Sequence, residues 1–269
     1  MQEKRIAIIG GGNLGTAIAE GLLISGEVKP SQLYVTRRRT ELLKGLADGG
    51  VTIGTDNSAA VMNADIIIMA VKPYQVIDIL KGFLPELTKD KVLISLVAGV
   101  DLKELTSVVG SEVPLFRAMP NTAIALQESM TLVSTNGSGQ AHKELVMDLF
   151  NKMGKTAMIP DELMAAATVL AACGIAYALR YIRASMQGGV EIGFGAELAQ
   201  LITAQTVLGA ARLVVETGNH PEKEIDKVTT PRGITITGLN EMENKGFSAS
   251  VIQGLLASYK KVEKLENPG

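Results

Sequence analysis

Arg5-Ile-Ala-Ile-Ile9-Gly10-Gly-Gly12-Asn-Leu-Gly15 is the stretch of this sequence that decides the fold. Its first half is a short apolar run, which predicts a buried strand that ends at Gly10. Its second half opens a helical pattern that runs from Asn13 to Ser25. A strand, a glycine-rich turn and a helix in this order begin the doubly wound α/β fold, in which helices cover both faces of a parallel sheet.

The spacing of the glycines matches the G-x-G-x-x-G pattern of dinucleotide-binding loops. In that pattern the first glycine permits a tight turn, the second lets the backbone approach a pyrophosphate, and the third lets the helix pack closely on the strand. The pattern has little specificity alone, but here it stands between a predicted strand and a predicted helix. We therefore predict a cofactor-binding loop. Its contact residues are Gly10, Gly12, Asn13, Leu14 and Gly15.

Further short apolar runs alternate with helical patterns as far as residue 159. The predicted strands are residues 33–36, 51–53, 65–70, 92–97, 115–118, 130–134 and 156–159. The predicted helices between them are residues 41–47, 58–62, 75–83, 102–109 and 139–153. This alternation predicts a parallel sheet with helices on both faces, which is a doubly wound (Rossmann) domain.

Strand patterns stop after Pro160, and long helical patterns follow at residues 162–187, 195–217 and 248–265. We therefore predict two domains with a boundary at Pro160-Asp161. Residues 1–160 form the α/β domain, and residues 161–269 form an all-α domain.

The end of the second predicted strand indicates which cofactor binds. Enzymes that use NAD usually carry an acidic residue there, which holds the ribose hydroxyls. This chain has Thr36-Arg37-Arg38-Arg39 instead. A carboxylate would repel the 2′-phosphate of NADPH, whereas a hydroxyl and guanidinium groups would bind it. The sequence predicts NADPH in preference to NADH, with Thr36 and Arg37 as contacts; the alternative is a solvated basic turn.

Three more loops follow predicted strands at the carboxyl edge of the sheet, where ligands of open α/β sheets bind. Two of them have small residues or a proline, against which a flat ring could lie. The third is a fixed loop in which proline precedes an asparagine that we expect to be exposed, although a plain turn is nearly as compatible. The predicted contacts are Ala70, Val71, Lys72, Pro73, Ala98 and Asn121.

Composition excludes several classes of function. The chain has 269 residues, 46% hydrophobic and 20% charged, with a net charge of −2, so charge gives no reason to expect binding to nucleic acid or an anionic membrane. One cysteine excludes an internal disulfide, and no metal-binding motif occurs. We expect a cytoplasmic protein without a signal peptide or a bound metal.

The weakly apolar run at residues 163–179 approaches the length of a membrane span. Its small residues favour a different reading, in which the helix is buried between other helices.

Val228-Thr-Thr-Pro-Arg-Gly-Ile-Thr235 combines hydroxyl groups with a turn that enters a helix. Free N–H groups, two threonine hydroxyls and the positive end of a helix dipole would together bind a small carboxylate. The alternative is an ordinary helix cap with proline in the first turn.

No general acid is evident. The helix predicted at residues 162–187 contains no lysine, and His142 and His220 lie in polar sequence without an acidic partner. Reduction of a ketone generally needs a proton donor at the developing alkoxide, whereas reduction of a protonated imine needs hydride and correct positioning. The sequence therefore favours a C=N substrate.

These motifs together resemble the pyrroline-5-carboxylate reductase family along nearly the whole chain. The resemblance is carried by the glycine loop and by the four motifs Ala70-Val-Lys-Pro73, Ala118-Met-Pro-Asn121, Cys173-Gly-Ile-Ala-Tyr177 and Asp226-Lys-Val-Thr-Thr-Pro-Arg-Gly233, followed by Thr235. The last motif is the most specific.

The resemblance implies reduction of L-1-pyrroline-5-carboxylate, a cyclic imine, to L-proline with NADPH or NADH. It implies that Thr230, Gly233 and Thr235 hold the substrate carboxylate, with Thr235 near the imine nitrogen as the catalytic residue. Asn57, on the loop after the third strand, would join the cofactor contacts. Family members dimerise through their helical domains, in many cases into larger rings, and draw each active site from two subunits.

The chain departs from the family pattern at two places. Arg232 stands where Pro-Gly-Gly is usual, and Ile175 stands where the long helix usually has proline, which should straighten the helix locally. Two alternatives remain: a related two-domain reductase of another imine or of a hydroxy acid, and a protein that senses NADPH without turning it over.

Overall fold

A computed structural model describes residues 4–266 of the chain. The chain divides into two compact units. The first contains the residues up to Cys173 together with those from Ser258 onward, and the second is Gly174–Ala257. The domain boundary predicted at Pro160-Asp161 falls where a 3-10 turn, Asp161–Leu163, leads into the long helix. It stays a prediction.

The first unit is built on one eight-stranded sheet with the order β3-β2-β1-β4-β5-β6-β7-β8. Its strands are β1 (Ile6–Ile9), β2 (Leu33–Thr36), β3 (Thr52–Gly54), β4 (Ile66–Met69), β5 (Val92–Ser95), β6 (Leu115–Met119), β7 (Ser129–Thr135) and β8 (Gly154–Met158). Each predicted strand is confirmed to within a few residues. The strand order reverses its direction of growth between β1 and β4, which is where ligands bind in doubly wound folds.

The prediction of a parallel sheet is wrong at one pair, because β6 and β7 are antiparallel. The connection between them, residues 120–128, contains only the 3-10 turn Thr122–Leu126. A parallel crossover needs about a dozen or more residues, usually with a helix. The chain therefore turns back, and β7 then pairs in parallel with β8 across a helical connection.

Alternate residues of each central strand face two separate cores. Ile6 and Ile8 of β1 belong to one apolar cluster, while Ala7 and Ile9 belong to the other. Strands covered on both faces have continuous apolar sequences, which is why β1 and β4 can be predicted from the sequence.

The helices of the first unit cover both faces of the sheet. They are α1 (Asn13–Ile24), α2 (Lys44–Asp48), α3 (Asn57–Met62), α4 (Val76–Gly82), α5 (Leu102–Val109), α6 (Lys143–Asn151) and α7 (Met164–Ala167). The side chains of α1 and α6 pack in the cluster of Ile6, and those of α3, α4 and α5 pack in the cluster of Ile9.

The second unit consists of helices. They are α8 (Gly174–Glu191), α9 (Ala196–Thr217), α10 (Pro221–Val228), α11 (Ile234–Asn244) and most of α12 (Phe247–Glu266). Helix α10 is not among the predicted helices. Proline at its first position and two acidic residues in its first turn are nevertheless typical of a helix start.

The helical unit has almost no interior of its own. Of its residues, all of which the structure describes, only Ala199 and Glu224 are buried. One aromatic pair, Tyr181 with Phe247, makes an edge-to-face contact between α8 and α12 at 6.2 Å between ring centroids. Within the single chain, residues 163–179 are buried only in part: Met164 and Val169 are buried, whereas Leu170 and Leu179 are exposed. Burial of this helix between other helices stays a prediction.

The long helix changes its winding before it reaches the second unit. Residues Thr168–Cys173, between α7 and α8, are π-helical. Ile175 lies in regular α-helix, as expected where proline is absent, but the segment just before it is not regular. A π-helical turn inside an α-helix is rare and often lies at a functional site.

Candidate active site

The glycine loop lies where β1 ends, and neighbouring strands fix its backbone. The N–H groups of Gly10 and Gly11 both donate to the Thr36 carbonyl, at 3.1 and 2.8 Å. Gly10 has a φ of +106°, and a Cβ on it would lie 2.5 Å from the Ala70 carbonyl oxygen. A Cβ on Gly15 would clash with the Gly10 carbonyl oxygen. Gly10 and Gly15 are therefore restricted to glycine by backbone contact.

Gly12 is different, because nothing in the described chain lies within 4 Å of a Cβ placed there. It is the N-cap of α1, which receives no side-chain cap and has no acidic residue in its first turn. The first N–H groups of the helix, at Asn13 and Leu14, and the positive end of its dipole are left for an anion from outside. The open space and the uncapped helix fit the pyrophosphate of a dinucleotide.

The end of β2 is tied to the glycine loop through Arg37. Its Nη1 donates to the Gly11 carbonyl at 2.6 Å, and its backbone N–H donates to the Gly54 carbonyl at 2.9 Å. Thr36 is buried, whereas Arg38 and Arg39 are exposed. A guanidinium has five N–H donors, so its bond to Gly11 leaves other donors of Arg37 for a phosphate group.

The loop after β4 lies directly against the glycine loop. The Ala70 N–H donates to the Ile9 carbonyl at 2.8 Å, and the Val71 side chain lies 2.9 Å from the position of a Cβ on Gly10. Lys72 is exposed, and Pro73 opens a 3-10 turn, Pro73–Gln75.

Asn57 and Ala98 follow β3 and β5 at the same carboxyl edge. Asn57 is the first residue of α3 and so lies on a helix rather than on the predicted loop; Asp56 caps that helix by accepting from the Ala59 N–H at 3.0 Å. Ala98 is half-buried beside Met119 and Met164 in a small apolar cluster. All the predicted cofactor contacts thus lie at one edge of the sheet, and their binding roles stay predictions.

Asn121 also lies at this edge, but the expectation that it is exposed is wrong. It is 8% exposed, and its side chain is used inside the protein. Its Oδ1 accepts from the Ala123 N–H at 3.0 Å, and its Nδ2 donates to the Ala171 carbonyl at 3.3 Å. Asn121 therefore caps the turn after β6 with its amide oxygen and binds the π-helical segment with its amide nitrogen.

A buried ion pair, which the sequence reading missed, lies next to this edge. Arg117 of β6 is 2% exposed, and its Nη1 donates to Asp161 Oδ1 at 3.0 Å. Asp161 also accepts from the Ser134 hydroxyl at 2.6 Å and from the Leu102 N–H at 3.0 Å. One carboxylate thereby joins β6, β7, α5 and the start of the long helix. The sequence signal that could have revealed this ion pair is an arginine within an apolar strand run.

The Thr-Thr-Pro sequence forms a tight turn in the helical unit. The Gly233 N–H donates to the Thr230 carbonyl at 2.8 Å, and Arg232 has a φ of +59°. Proline at the second position and a positive φ at the third are typical of a type II β-turn. The alternative that placed Pro231 in the first turn of a helix is therefore wrong, since Pro231 precedes the helix.

Helix α11 begins immediately after this turn. Its N-cap is Gly233, which supplies no side-chain cap, and no acidic residue lies in its first turn. Thr230 and Thr235 are exposed. The hydroxyl of Thr229, by contrast, donates back to the Ile225 carbonyl at 3.2 Å. The uncapped N–H groups and the hydroxyls of Thr230 and Thr235 suit a small carboxylate, while Thr229 closes the preceding helix.

A network around the buried Glu224 fixes α10, which leads into the turn. Its carboxylate accepts from Lys227 Nζ at 2.8 Å and from Asn219 Nδ2 at 2.6 Å. The bond from Lys227, followed by that from Asn219, holds the pKa of Glu224 below its ordinary value. A carboxyl group with a lowered pKa stabilises the folded state above its unfolded pKa, and this contribution is lost as the pH falls through the folded value.

Two further observations bear on the excluded classes. Among residues 4–266 there is no group of three or more His, Cys, Asp or Glu side chains that could hold a metal ion. Two helical stretches, Asp161–Glu191 and Ala196–Thr217, are long and apolar enough to cross a membrane by length and composition alone.

The fold and the edge geometry define a class of protein. A doubly wound sheet with a glycine loop at its carboxyl edge, followed by a helical region with an uncapped helix N-terminus, is the layout of a two-domain oxidoreductase that uses a nicotinamide dinucleotide.

Comparisons with known proteins identify the family within this class. A model described as NADP oxidoreductase, coenzyme F420-dependent, matches residues 5–99, and one described as pyrroline-5-carboxylate reductase dimerisation matches residues 161–265. Pyrroline-5-carboxylate reductase 2 of Dictyostelium discoideum is 42% identical over 97% of this chain and 93% of its own length. The chain belongs to the pyrroline-5-carboxylate reductase family.

Two other proteins support the same assignment. Pyrroline-5-carboxylate reductase 1 of Dictyostelium discoideum is 42% identical over 98% of this chain, which spans 50% of that protein's length. A pyrroline carboxylate reductase of Plasmodium falciparum, solved with NADP bound, is 27% identical, with a TM-score of 0.90 over 99% of this chain and 100% of its own.

Replacing Arg232 with glycine should stabilise the protein. A side chain held at positive φ stores about 1–3 kcal/mol of backbone strain, and the greater freedom of glycine when unfolded offsets about 0.4–1 kcal/mol of that. We expect a higher melting temperature for Arg232→Gly and no gain for Arg232→Ala, which keeps the strain. Gln127, in the other unit, also has a positive φ, of +61°. Gln127→Gly should therefore also stabilise the protein and serves as a positive control. Lower melting temperatures for both Arg232→Gly and Arg232→Ala would show that the arginine side chain itself holds the turn.

Proposed function

We propose that this chain catalyses the NADPH-dependent reduction of L-1-pyrroline-5-carboxylate to L-proline, the final step of proline biosynthesis. The observation that carries this proposal is the 42% identity to a reductase of this name over nearly the full length of both chains. The glycine loop and the anion-binding turn agree with it, because the reaction needs a bound dinucleotide and a bound carboxylate.

The cofactor binds at the carboxyl edge of the sheet. The glycine loop and the start of α1 hold the pyrophosphate, where the space beside Gly12 is open. Thr36 and Arg37 bind the 2′-phosphate side of the adenosine, and Asn57, at the start of α3, is a further cofactor contact. The loops containing Ala70–Pro73 and Ala98 line the path to the nicotinamide. When bound, NADPH supplies the hydride for the imine carbon.

The residues of the turn at α11 bind and orient the substrate. Thr230, Gly233 and Thr235 hold the carboxylate through hydroxyl and N–H groups at the positive end of the helix dipole. A protonated imine that accepts hydride at carbon becomes a secondary amine without further proton transfer, so the chain needs no general acid in this step. Rate enhancement then comes mainly from proximity and orientation.

Both cofactors should support turnover, with NADPH more efficient than NADH. A charge-assisted bond from Arg37 to the 2′-phosphate contributes about 1.5–3 kcal/mol, or about tenfold or more in kcat/KM. Arg37→Met should reduce the ratio of NADPH to NADH efficiency by about that factor, whereas Arg39→Met should not. Equal efficiency of the two cofactors in the unaltered enzyme would remove the role assigned to Thr36 and Arg37. No turnover of pyrroline-5-carboxylate with either would leave another substrate or an NADPH sensor.

Thr235 is the residue assigned to the reacting end of the substrate. Thr235→Ala should lower kcat/KM by about tenfold or more, which is at least ~1.4 kcal/mol of lost transition-state binding. Thr235→Ser keeps the hydroxyl and should retain most of the activity. Thr237 is an exposed threonine two residues further along α11, and its hydroxyl donates to the Gly233 carbonyl at 3.2 Å. Thr237→Ala is therefore the matched control, and an equal loss in both alanine variants would argue against a direct role for Thr235.

The chain forms a homodimer through its C-terminal helices, and larger rings built from such dimers are an extension of this proposal. Exposed apolar side chains on α8, α9 and α12 support it, since such a surface is stable in water only when something covers it. The set includes Leu179, Val190, Leu198, Leu201, Leu208, Val215, Ile252 and Leu256. A partner helix would also account for the membrane-like apolarity of the two long helices.

Leu201, at 66% exposed, tests this interface. Leu201→Glu should shift the protein toward monomer in sedimentation velocity, because a buried carboxylate without a partner is strongly unfavourable. Met62 of α3 is 62% exposed and lies outside the helical unit, so Met62→Glu should leave the assembly unchanged. A dimer that persists in Leu201→Glu would place the interface elsewhere.

We also propose a cytoplasmic location, in agreement with a chain that contains a single cysteine and no disulfide-forming pair. Fractionation of source cells with an activity assay on each fraction would test this location.

A further inference from the structure

Asn121 belongs to a chain of buried hydrogen bonds that crosses from the sheet to the long helix. Its backbone N–H donates to the Ser129 hydroxyl at 3.1 Å, and that hydroxyl lies 3.2 Å from the Thr131 hydroxyl. Its amide group reaches the Ala171 carbonyl on the helix side. Buried polar groups are unfavourable unless they are satisfied, and all these residues except Ala171 are buried. The network therefore fixes the position of Asn121 closely.

The partner of Asn121 on the helix side lies inside the π-helical segment Thr168–Cys173. A π-helical turn displaces backbone groups from their α-helical partners, so it persists where other groups satisfy them. The Nδ2 of Asn121 supplies a donor to the Ala171 carbonyl from outside the helix, at 3.3 Å. Asn121 is thus positioned to stabilise this irregular winding.

The π-helical segment packs next to the part of the sheet edge that follows β5 and β6. Ala172 lies in the same apolar cluster as Ala98, together with Met119 and Met164. Ala98 belongs to the loop that lines the cofactor edge beyond the pyrophosphate loop. The helical winding of this segment therefore determines the position of the residues that pack against Ala98 at that edge.

We propose that Asn121 is a positioning residue, which holds the π-helical segment against the cofactor edge and thereby aligns the reacting end of the cofactor. It does this through Ala171 and not by bonding to the cofactor itself. The inference rests on the proposed function, because that function places a dinucleotide along this edge. It replaces the direct cofactor contact that the sequence predicts for Asn121.

Asn121→Ser separates the two bonds of the side chain. Serine is a good cap residue and can keep the bond from the Ala123 N–H, but it is too short to reach the Ala171 carbonyl. We expect kcat for pyrroline-5-carboxylate to fall about tenfold, since a small misplacement of reacting groups costs up to about a hundredfold. The Kd of NADPH, measured by fluorescence titration, should change by less than about twofold because the pyrophosphate loop is untouched. Amide hydrogen exchange in residues 168–173 should become faster.

Asn136 provides the matched control at the opposite edge of the sheet. Its Oδ1 accepts from the Gly139 N–H at 2.9 Å, and its Nδ2 donates to the Val113 carbonyl at 3.1 Å. It therefore also caps a turn and bridges to a distant carbonyl, but beside the start of β6. The Asn136 Oδ1 also accepts from the Leu115 N–H at 3.1 Å, so Asn136→Ser should lower the melting temperature at least as much as Asn121→Ser and leave kcat unchanged.

Each of three results would overturn the proposal. Unchanged kcat and exchange in Asn121→Ser would show that the bond to Ala171 has no role. A Kd for NADPH raised tenfold or more with kcat retained would make Asn121 a direct ligand. Equal losses of kcat in both serine variants would indicate general destabilisation.

The test stays decisive if the proposed function fails or if the variant does not fold. If the unaltered protein does not reduce pyrroline-5-carboxylate, the proposed function fails, but exchange in residues 168–173 and NADPH binding still decide the role of Asn121. If Asn121→Ser does not fold, Asn121→Asp keeps the cap oxygen and removes the donor to Ala171. Unchanged exchange in that variant would also overturn the inference.

Discussion

The close approach of two backbones at the end of β1 is the constraint on which the rest of the site depends. The Gly10 α-carbon lies against the Ala70 carbonyl, and Gly15 lies against the Gly10 carbonyl, with no room for a side chain at either. Two N–H groups of the loop share the Thr36 carbonyl. The loop is thus held by β1, β2 and β4 together, and the first turn of α1 is aimed outward by backbone contacts rather than by flexible side chains. Rigid backbone donors of this kind need little reorganisation when an anion binds.

Most of the sheet could be predicted because its strands are covered on both faces. Continuous apolar runs such as Ile66–Met69 leave little ambiguity once glycine-rich turns and helical patterns flank them. The direction of β7 could not be read in this way, since it depends on the length of the connection after β6 and not on the strand's own residues. Helix α10 was missed because it is short and polar, and its start was the only local signal.

The candidate site was predictable where backbone rules apply and much less so where side chains meet across the fold. The glycine loop could be predicted because close backbone contact admits only glycine at some of its positions. The turn at Thr230–Gly233 could be predicted from its threonine hydroxyl and its proline. The partners of Arg117 and Asn121 are distant in sequence: Asp161 for one and Ala171 for the other. Nothing in the local pattern specifies such pairs. Arg232 was visible as an unusual residue, but its left-handed backbone became evident only in the folded turn.

The scarcity of buried residues in the helical unit has a thermodynamic consequence. A unit whose only buried residues in the described chain are Ala199 and Glu224 gains little from its own packing, although in proteins most helical stability comes from tertiary packing. In the proposed dimer, much of the free energy that orders these helices would come from association with the partner chain. Folding of this part would then follow mass action, so its stability would rise with protein concentration and fall on dilution. The ordering of the turn proposed to bind the substrate carboxylate would in this way be a property of the assembly rather than of the single chain.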